Sequence, residues 1–423
     1  MSNFSIAIIG GGAAGMMSAA SALEQGSNGD LSVCLFEKNA ILGQKVLISG
    51  GGRCNVTTGI EDIKDVLKKY PRGSRFLSYS MYEFSPRKVY EWFESHGVPL
   101  KVETDKRVFP VSDNGQDVVN AFEQIFSSDD NAHRMNLALG RSIVDVIHDE
   151  NNEYAFELIS QNGEHFFSKK LILTTGGQAY RQTGSTGDGY AFAQKLGHTI
   201  TQLGPSLNNF FVQESWAKNC AGVSLEKVVL TLTGSEKWKF VGDFVFTHKG
   251  VSGPAIFALS SYSAFDVVSI KSPLKLNIDF FPNEKEEILS KRFDDALAEH
   301  PKKMIINLVD MFLPRSLAIA SFEATGIDGG KYTSRVSREE RNKLVGFMKN
   351  ASLTLIARGA GEEFVTAGGI STDEIDQKTM ESKICRGLFF AGEIVNFDGF
   401  TGGFNLQASW ATGKLAGISA FGK

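Results

Sequence analysis

Four glycine-rich clusters hold the residues of this 423-residue chain whose types and spacing could do chemistry. The first is Gly10-x-Gly12-x-x-Gly15, enclosing Ala13 and Ala14; it follows the apolar run Phe4 to Ile9 and opens an alanine-rich stretch ending near Gly26. In a strand-to-helix turn of this kind the first glycine makes the bend, the second lets a pyrophosphate approach the backbone, and the third lets helix and sheet pack closely. The helix N-terminus adds roughly half a positive charge. Glu37, with Lys38 beside it, ends the next apolar run 22 residues after Gly15, where it would accept hydrogen bonds from an adenosine ribose. A tight turn without ligand is the alternative, and the acid in this context argues against it.

The second cluster, Ser49-Gly50-Gly51-Gly52-Arg53-Cys54-Asn55, comes shortly after Gly43-Gln44-Lys45. Three consecutive glycines disfavour regular structure, and Arg53 supplies a forked cation suited to a phosphate or an anionic ring. Gln44, Lys45, Gly52, Arg53, Cys54 and Asn55 are therefore candidate cofactor contacts, with a flexible surface loop as the alternative. Arg53 could lower the pKa of Cys54 and make it a nucleophile, although a free cysteine is more commonly inert packing. The third cluster joins Leu173-Thr174-Thr175-Gly176-Gly177 to Thr183 through Tyr190, leading into a helix toward His198. A strand ending in small hydroxyls and glycine lets a flat cofactor lie against the backbone, which nominates Thr175 and Gly176. Asp188 either contacts that cofactor or caps a helix starting near Gly189.

The fourth cluster is Gly392-Glu393, followed by Gly402-Gly403-Phe404-Asn405-Leu406-Gln407 and a helical stretch toward Gly417. Glu393 offers a carboxylate to the hydroxyls of a ribityl chain. Gly403, Phe404, Asn405 and Leu406 would present backbone N–H groups at a helix start, where negative charge on a reduced flavin is stabilised. One such cluster is an ordinary helix entry; four, at both ends of a chain, call for a common ligand.

The elements that must position these residues are legible in the same pattern. Phe4 to Ile9 and Leu31 to Phe36 read as buried strands of a βαβ unit, and Asn162-Gly163 as a hairpin turn in a meander that returns through the strand Lys170 to Thr175. Beyond about Gly197 the texture changes to alternation at Val228, Leu230 and Leu232, at Trp238 and Phe240, at Phe244 and Phe246, and over Leu274 to Phe280, which predicts an antiparallel sheet or barrel. From Asn283 to about Asn350 the pattern is helical, with Asn283 as candidate N-cap and breaks at Pro301, Pro314 and Gly326. The glycine-rich texture returns from about Arg358. The expected organisation is a discontinuous first domain over 1–198 and 357–423, interrupted by a barrel over 199–282 and 351–356 that carries a helical insert over 283–350.

Composition narrows the function classes. With 44 Lys+Arg against 48 Asp+Glu the net charge is −4, and basic runs such as Lys68-Lys69 and Lys302-Lys303 are short, so no nucleic-acid partner is expected. Cys34, Cys54, Cys220 and Cys385 lie far apart without a C-x-x-C, so no metal site is expected and a reduced, cytoplasmic protein is the simplest reading. No run approaches 18 uninterrupted apolar residues, so no membrane span is expected, and the N-terminus lacks the form of a signal peptide.

Together, Gly10 to Gly15, Ser49 to Asn55, Arg107-Val108-Phe109-Pro110, Thr183 to Tyr190, Phe246-Thr247-His248, Ser252-Gly253-Pro254 and Gly402 to Gln407 resemble the BaiN-like bacterial FAD-dependent oxidoreductases, which include aminoacetone-oxidase-like proteins. The resemblance spans nearly the whole chain. It implies an α/β fold in which a Rossmann-like FAD-binding domain of the glutathione-reductase type is interrupted by a β-barrel domain carrying a small helical domain. It also implies hydride transfer between FAD and a small organic substrate, a conjugated ketone or an amino ketone. Asn396 departs from the aspartate expected in the family after Gly392-Glu393, which puts an acid role there in doubt. Only one Gly-x-Gly-x-x-Gly is present, so an NAD(P)H donor would dock transiently at the flavin rather than in a domain of its own.

In this reading the barrel covers the substrate side of the flavin. His248, in the loop-like stretch Phe246 to Pro254, is the candidate general acid/base, because an ordinary histidine pKa of about 6.5 suits proton transfer near neutrality; a hydrogen bond that merely orders the loop is the alternative. Arg53 is a second candidate, for holding an anionic flavin or substrate group. Competing classes are a flavoprotein that modifies tRNA, a non-catalytic flavin-binding protein and a plain NAD dehydrogenase.

Overall fold

The run Ile6 to Ile9 is apolar at every position and buried on both faces, as a central parallel strand requires. In the computed structural model, which describes residues 2–26 and 31–422, the strand Ser2–Ile9 pairs in parallel with Val33–Glu37 on one side and His165–Leu173 on the other. Met135–Leu139 extends the sheet beyond Val33–Glu37. On its other edge the strand His165–Leu173 serves two more neighbours: its first half pairs antiparallel with Phe156–Ser160 and its last three residues pair in parallel with Leu388–Phe390. With Ile143–His148 at the edge this makes a seven-stranded sheet. The Asn162-Gly163 turn joins its two strands as expected, with Gly163 at φ 81°.

The chain divides into two compact units, residues 1–204 with 364–423 and residues 205–363. The first unit is discontinuous because its two end helices share one core. The first helix, Ala13–Gln25, and the C-terminal helix, Phe404–Gly422, pack through small residues. A Cβ at Gly413 would lie 2.6 Å from the Ala14 carbonyl oxygen, and one at Gly417 would lie 2.2 Å from that of Ser18. The Ser18 hydroxyl donates to the Gly413 carbonyl at 3.0 Å across the same seam.

The second unit is built on a closed six-stranded barrel. Its strands Ser224–Thr233 and Leu274–Asp279 alternate as the pattern predicted, with Val228, Leu230, Leu232, Leu276 and Ile278 buried, and Ala351–Arg358 alternates in the same way, burying Leu353 and Leu355. The helical stretch forms Glu286–Glu299, Ile305–Val309, Arg315–Thr325 and Arg338–Asn350. Pro314 caps the third of these at its N-terminus and Gly326 ends it in a left-handed conformation, as read from sequence. Asn283 is not the N-cap expected of it. Lys349 donates to the Phe281 and Glu284 carbonyls at 2.8 Å each, holding this segment as a turn, and the helix begins only after Lys285. The helices and the barrel share one buried cluster that includes Leu289, Phe293, Leu317 and Phe347 with Leu276 and Leu353. Among the described residues no helix is long and apolar enough to cross a membrane.

Candidate functional site

Close approach of backbone to backbone shapes the first glycine cluster. A Cβ at Gly15 would stand 1.9 Å from the Gly10 carbonyl oxygen, and one at Gly10, whose φ is 108°, would stand 2.6 Å from that of Thr174. Gly12 is different: nothing lies within 4 Å of where its Cβ would be. It precedes the first helix as an N-cap with no side-chain cap, and Ala13 and Ala14 make the first turn. The helix thus starts without a side-chain cap beside open space at Gly12, and its first N–H groups lack intrahelical acceptors, as an anion site requires.

Glu37 ends the second strand almost fully buried, at 9 % exposure. Its Oε2 accepts from the Gly11 N–H at 2.7 Å, and its Oε1 accepts from the backbone and side-chain nitrogens of Asn39 at 2.8 and 2.7 Å. Three donors leave part of a carboxylate's acceptor capacity for a ligand hydroxyl. Asn39 carried no signal beyond its place two residues after the acid. Lys38 donates to Asp188 at 2.8 Å and to the Thr186 hydroxyl at 2.6 Å. Burial opposes ionisation of Asp188, but the bonds from Lys38 and Thr186 outweigh it and hold the carboxyl below its ordinary range. Asp188 is not the helix cap: the helix Asp188–Lys195 has left-handed Gly187 at that position, and the carboxylate is spent on Lys38 and Thr186.

The second cluster is an ordered loop in which Gly50, Gly51 and Gly52 all have positive φ. Gln44 and Lys45 begin the short helix before it. Arg53 donates to Glu103 at 2.8 Å, approaches Asp113 at 3.4 Å and stacks on Phe109 at 3.8 Å, so two carboxylates already answer its charge. Cys54 is fully buried, and burial pushes its thiol up to about 12. Of the two readings of Cys54, inert packing therefore holds over the nucleophile: the guanidinium beside it in sequence is turned to Glu103 instead, and desolvation decides. Asn55, with its amide turned to satisfy both ends, accepts from the Gly403 N–H at 2.9 Å and donates to the Thr57 carbonyl at 3.1 Å. A Cβ at Gly403 would lie 2.3 Å from that Thr57 oxygen. The second and fourth clusters are thus locked together.

The fourth cluster also meets the first. A Cβ at Gly392 would lie 2.8 Å from that of Ala14, and the Gly392 N–H donates to Thr412 at 3.0 Å. Glu393 accepts from Lys45 at 2.7 Å and from the Thr366 N–H at 2.9 Å. Thr366 went unrecognised in the sequence, yet its hydroxyl also accepts from the Gln178 N–H at 2.7 Å beside Gly176 and Gly177. Phe404 is buried, Asn405 exchanges two 2.8 Å bonds with the Gly399 backbone, and Leu406 follows in the first turn. The buried Thr175 hydroxyl and Tyr190 hydroxyl have no protein partner; burial, and after it the charge of Glu393, holds the Tyr190 phenol well above its ordinary range.

These residues fit FAD. Bound there, its pyrophosphate would meet the uncapped helix start behind Gly12, its ribose Glu37, its polar linker Glu393 and the orphaned Thr175 hydroxyl, and its ring the start of the C-terminal helix. His248 belongs to the second unit. It is exposed in the turn between the strands Lys237–Phe246 and Gly250–Ser252, where Thr247 and Gly250 close the turn by mutual backbone bonds and His248 projects from it.

Comparison with known proteins gives the family and the fold. Residues 4–419 match the family described as HI0933-like protein Rossmann domain. A 3-dehydro-bile acid delta(4,6)-reductase from Clostridium scindens is 30 % identical, covering 98 % of each chain. A ribosomal RNA dihydrouridine synthase from Haemophilus influenzae is 27 % identical, covering 97 % of each. The expectation of no nucleic-acid partner finds no support in this pair. Among solved structures, the open conformation of a flavocytochrome c3 fumarate reductase aligns with a TM-score of 0.51 at 18 % identity, covering 99 % of this chain and 78 % of that one, a likeness of fold. The chain belongs to the HI0933-like Rossmann family and is an FAD-dependent oxidoreductase.

Proposed function

We propose that the protein reduces a carbon–carbon double bond conjugated to a carbonyl, with NAD(P)H as a transiently docking donor. The observation that carries this reading is that two relatives matched over nearly their whole length are named for different substrates but for one kind of chemistry. A delta(4,6)-reductase of a 3-dehydro bile acid saturates ring double bonds in a 3-keto compound, and dihydrouridine is uridine whose ring double bond beside a carbonyl has been saturated. FAD, when bound, supplies a hydride to the far carbon of such a bond. The chain's own groups hold the cofactor through Gly10, Gly12, Gly15, Glu37, Glu393 and the start of the C-terminal helix, and a proton must reach the carbon next to the carbonyl. His248 is our candidate donor of that proton, and Arg53, tied to Glu103, positions its loop rather than the substrate.

The small-molecule and RNA readings are separated by one experiment. The reduced holoprotein is mixed anaerobically with a conjugated steroid ketone and with uridine-containing ribosomal RNA, and the oxidised holoprotein with an amino ketone. Return of the oxidised flavin spectrum with the first or second, together with a saturated product, supports the proposal and names the substrate class. Oxidation of the amino ketone by the oxidised holoprotein, with no reaction of either conjugated acceptor, would overturn it.

A further inference from the structure

The turn that opens the C-terminal helix is fastened by one short segment, residues 69–73. Arg72 forms an isolated antiparallel bridge with Asp398, and its guanidinium donates from Nε to Oδ1 at 2.5 Å and from Nη2 to Oδ2 at 2.6 Å. The Asp398 side chain is fully buried and that of Arg72 is 17 % exposed. The buried Tyr70 hydroxyl donates to the Phe404 carbonyl at 2.6 Å, in the first residue of the helix, and the Phe400 N–H donates to the Lys69 carbonyl at 2.9 Å. Gly73 sits so close that a Cβ there would lie 2.3 Å from that of Phe397. The Asn55 amide and the Thr57 carbonyl hold the same turn from the other side, at Gly403.

Stability alone is a poor reason for this arrangement. Desolvation of a buried ion pair offsets much of its attraction, and a neutral pair of similar size often serves the fold as well. A bidentate guanidinium–carboxylate pair does fix geometry, in two parallel bonds. The geometry fixed here is that of the residues leading into the first turn of a helix, whose N–H groups lack intrahelical acceptors and stabilise negative charge placed before them. We propose that Tyr70 and the Arg72–Asp398 pair are positioning residues that hold the start of the C-terminal helix against the bound flavin and thereby set its reduction potential. This rests on the reading that the cofactor's ring meets the start of that helix.

The test measures the two-electron midpoint potential of bound FAD, FAD content and thermal unfolding in the wild-type holoprotein, in R72Q/D398N and in Y70F. Both variants leave net charge unchanged, so a shift in potential reports the position of the N–H groups rather than a new charge. Loosened donors stabilise the negative charge of reduced flavin less than well-placed ones do, and the neutral oxidised ring loses less. The expected result is a lower potential in each variant, by a loss of about tenfold in the relative affinity for reduced over oxidised cofactor, which is about 30 mV for two electrons. An unchanged potential alongside a lower unfolding temperature would show that the clamp serves the fold alone and would overturn the inference. If R72Q/D398N does not fold, Y70F decides by the same two readings. A wild-type protein that binds no FAD would instead overturn the cofactor reading, and this inference with it.

Discussion

At the start of the first helix, Gly10 and Gly15 lie against the Thr174 and Gly10 carbonyls and Gly11 against Leu42 and Glu37, with no room for a side chain, whereas the space where a Cβ of Gly12 would stand is open. In the turn bearing His248, the backbone closes on itself through Thr247 and Gly250 and the histidine stands exposed. The contrast separates two ways of holding functional groups. Where a cofactor site is built into the core, as at Gly10 and Gly15, damage costs binding and folding together; a group facing open space, as at Gly12, or exposed on a turn can be changed with little cost to folding.

The sharpest way to break this comparison is within the first cluster itself. Gly15→Ala would drive a methyl group into the Gly10 carbonyl and should destabilise beyond the roughly 0.5–3 kcal/mol of an ordinary substitution, with loss of FAD. Gly12→Ala meets no protein atom and should leave thermal unfolding of the FAD-free protein unchanged while weakening FAD binding. Equal unfolding temperatures for the two FAD-free variants would remove the distinction between packing glycine and ligand glycine.

His248→Ala tests the opposite region. Turnover should fall about 100-fold or more, the scale of a lost general acid, with FAD content and unfolding temperature at wild-type values. Unchanged turnover would return His248 to the role of a turn residue. Glu37→Ala should weaken FAD retention by about 1.5–3 kcal/mol, the cost of losing a charged acceptor, measured by fluorescence titration. It should also lower stability, because Gly11 and Asn39 lose their acceptor; full FAD occupancy would contradict the ribose assignment.

The smallest expected effect concerns Cys54. Burial raises its folded-state pKa from 9.0 to about 12, so the folded protein keeps a proton that the unfolded chain gives up above pH 9. Any stability linked to Cys54 is intact below pH 9 and is lost as pH rises toward 12. Alkylation of native protein at Cys54 should therefore follow unfolding, not the ordinary thiol titration. Rapid labelling of the folded protein near pH 9 would show that the loop opens.

Much of this was legible because it is written in local spacing. Gly10 to Gly15 with Glu37, the hairpin at Asn162-Gly163, the alternation at Val228, Leu230 and Leu232, and the breaks at Pro314 and Gly326 each state a backbone requirement within a few residues. What escaped depends on partners distant in sequence. Thr366 serves Glu393 and Gln178 from another segment, and Asn39 secures the acid through both its nitrogens. Arg53 looked available for a ligand because nothing local reveals Glu103 as its partner. Asp398 did carry a signal, an acid set between Phe397 and the Gly399-Phe400 pair, which in a buried stretch demands a cation such as Arg72. Asn283 misled as a cap, and the cap alternative for Asp188 falls, because residues elsewhere, Lys349 and Lys38, organise those turns.

The most direct test of the central claim is the visible spectrum of the purified protein, followed anaerobically through addition of NADH or NADPH and then of a conjugated ketone or uridine-containing RNA. The account predicts stoichiometric FAD, bleaching of its absorption by one of the two nucleotides, and recovery on adding an acceptor whose double bond is then found saturated. A colourless protein that cannot be reconstituted with FAD would contradict it.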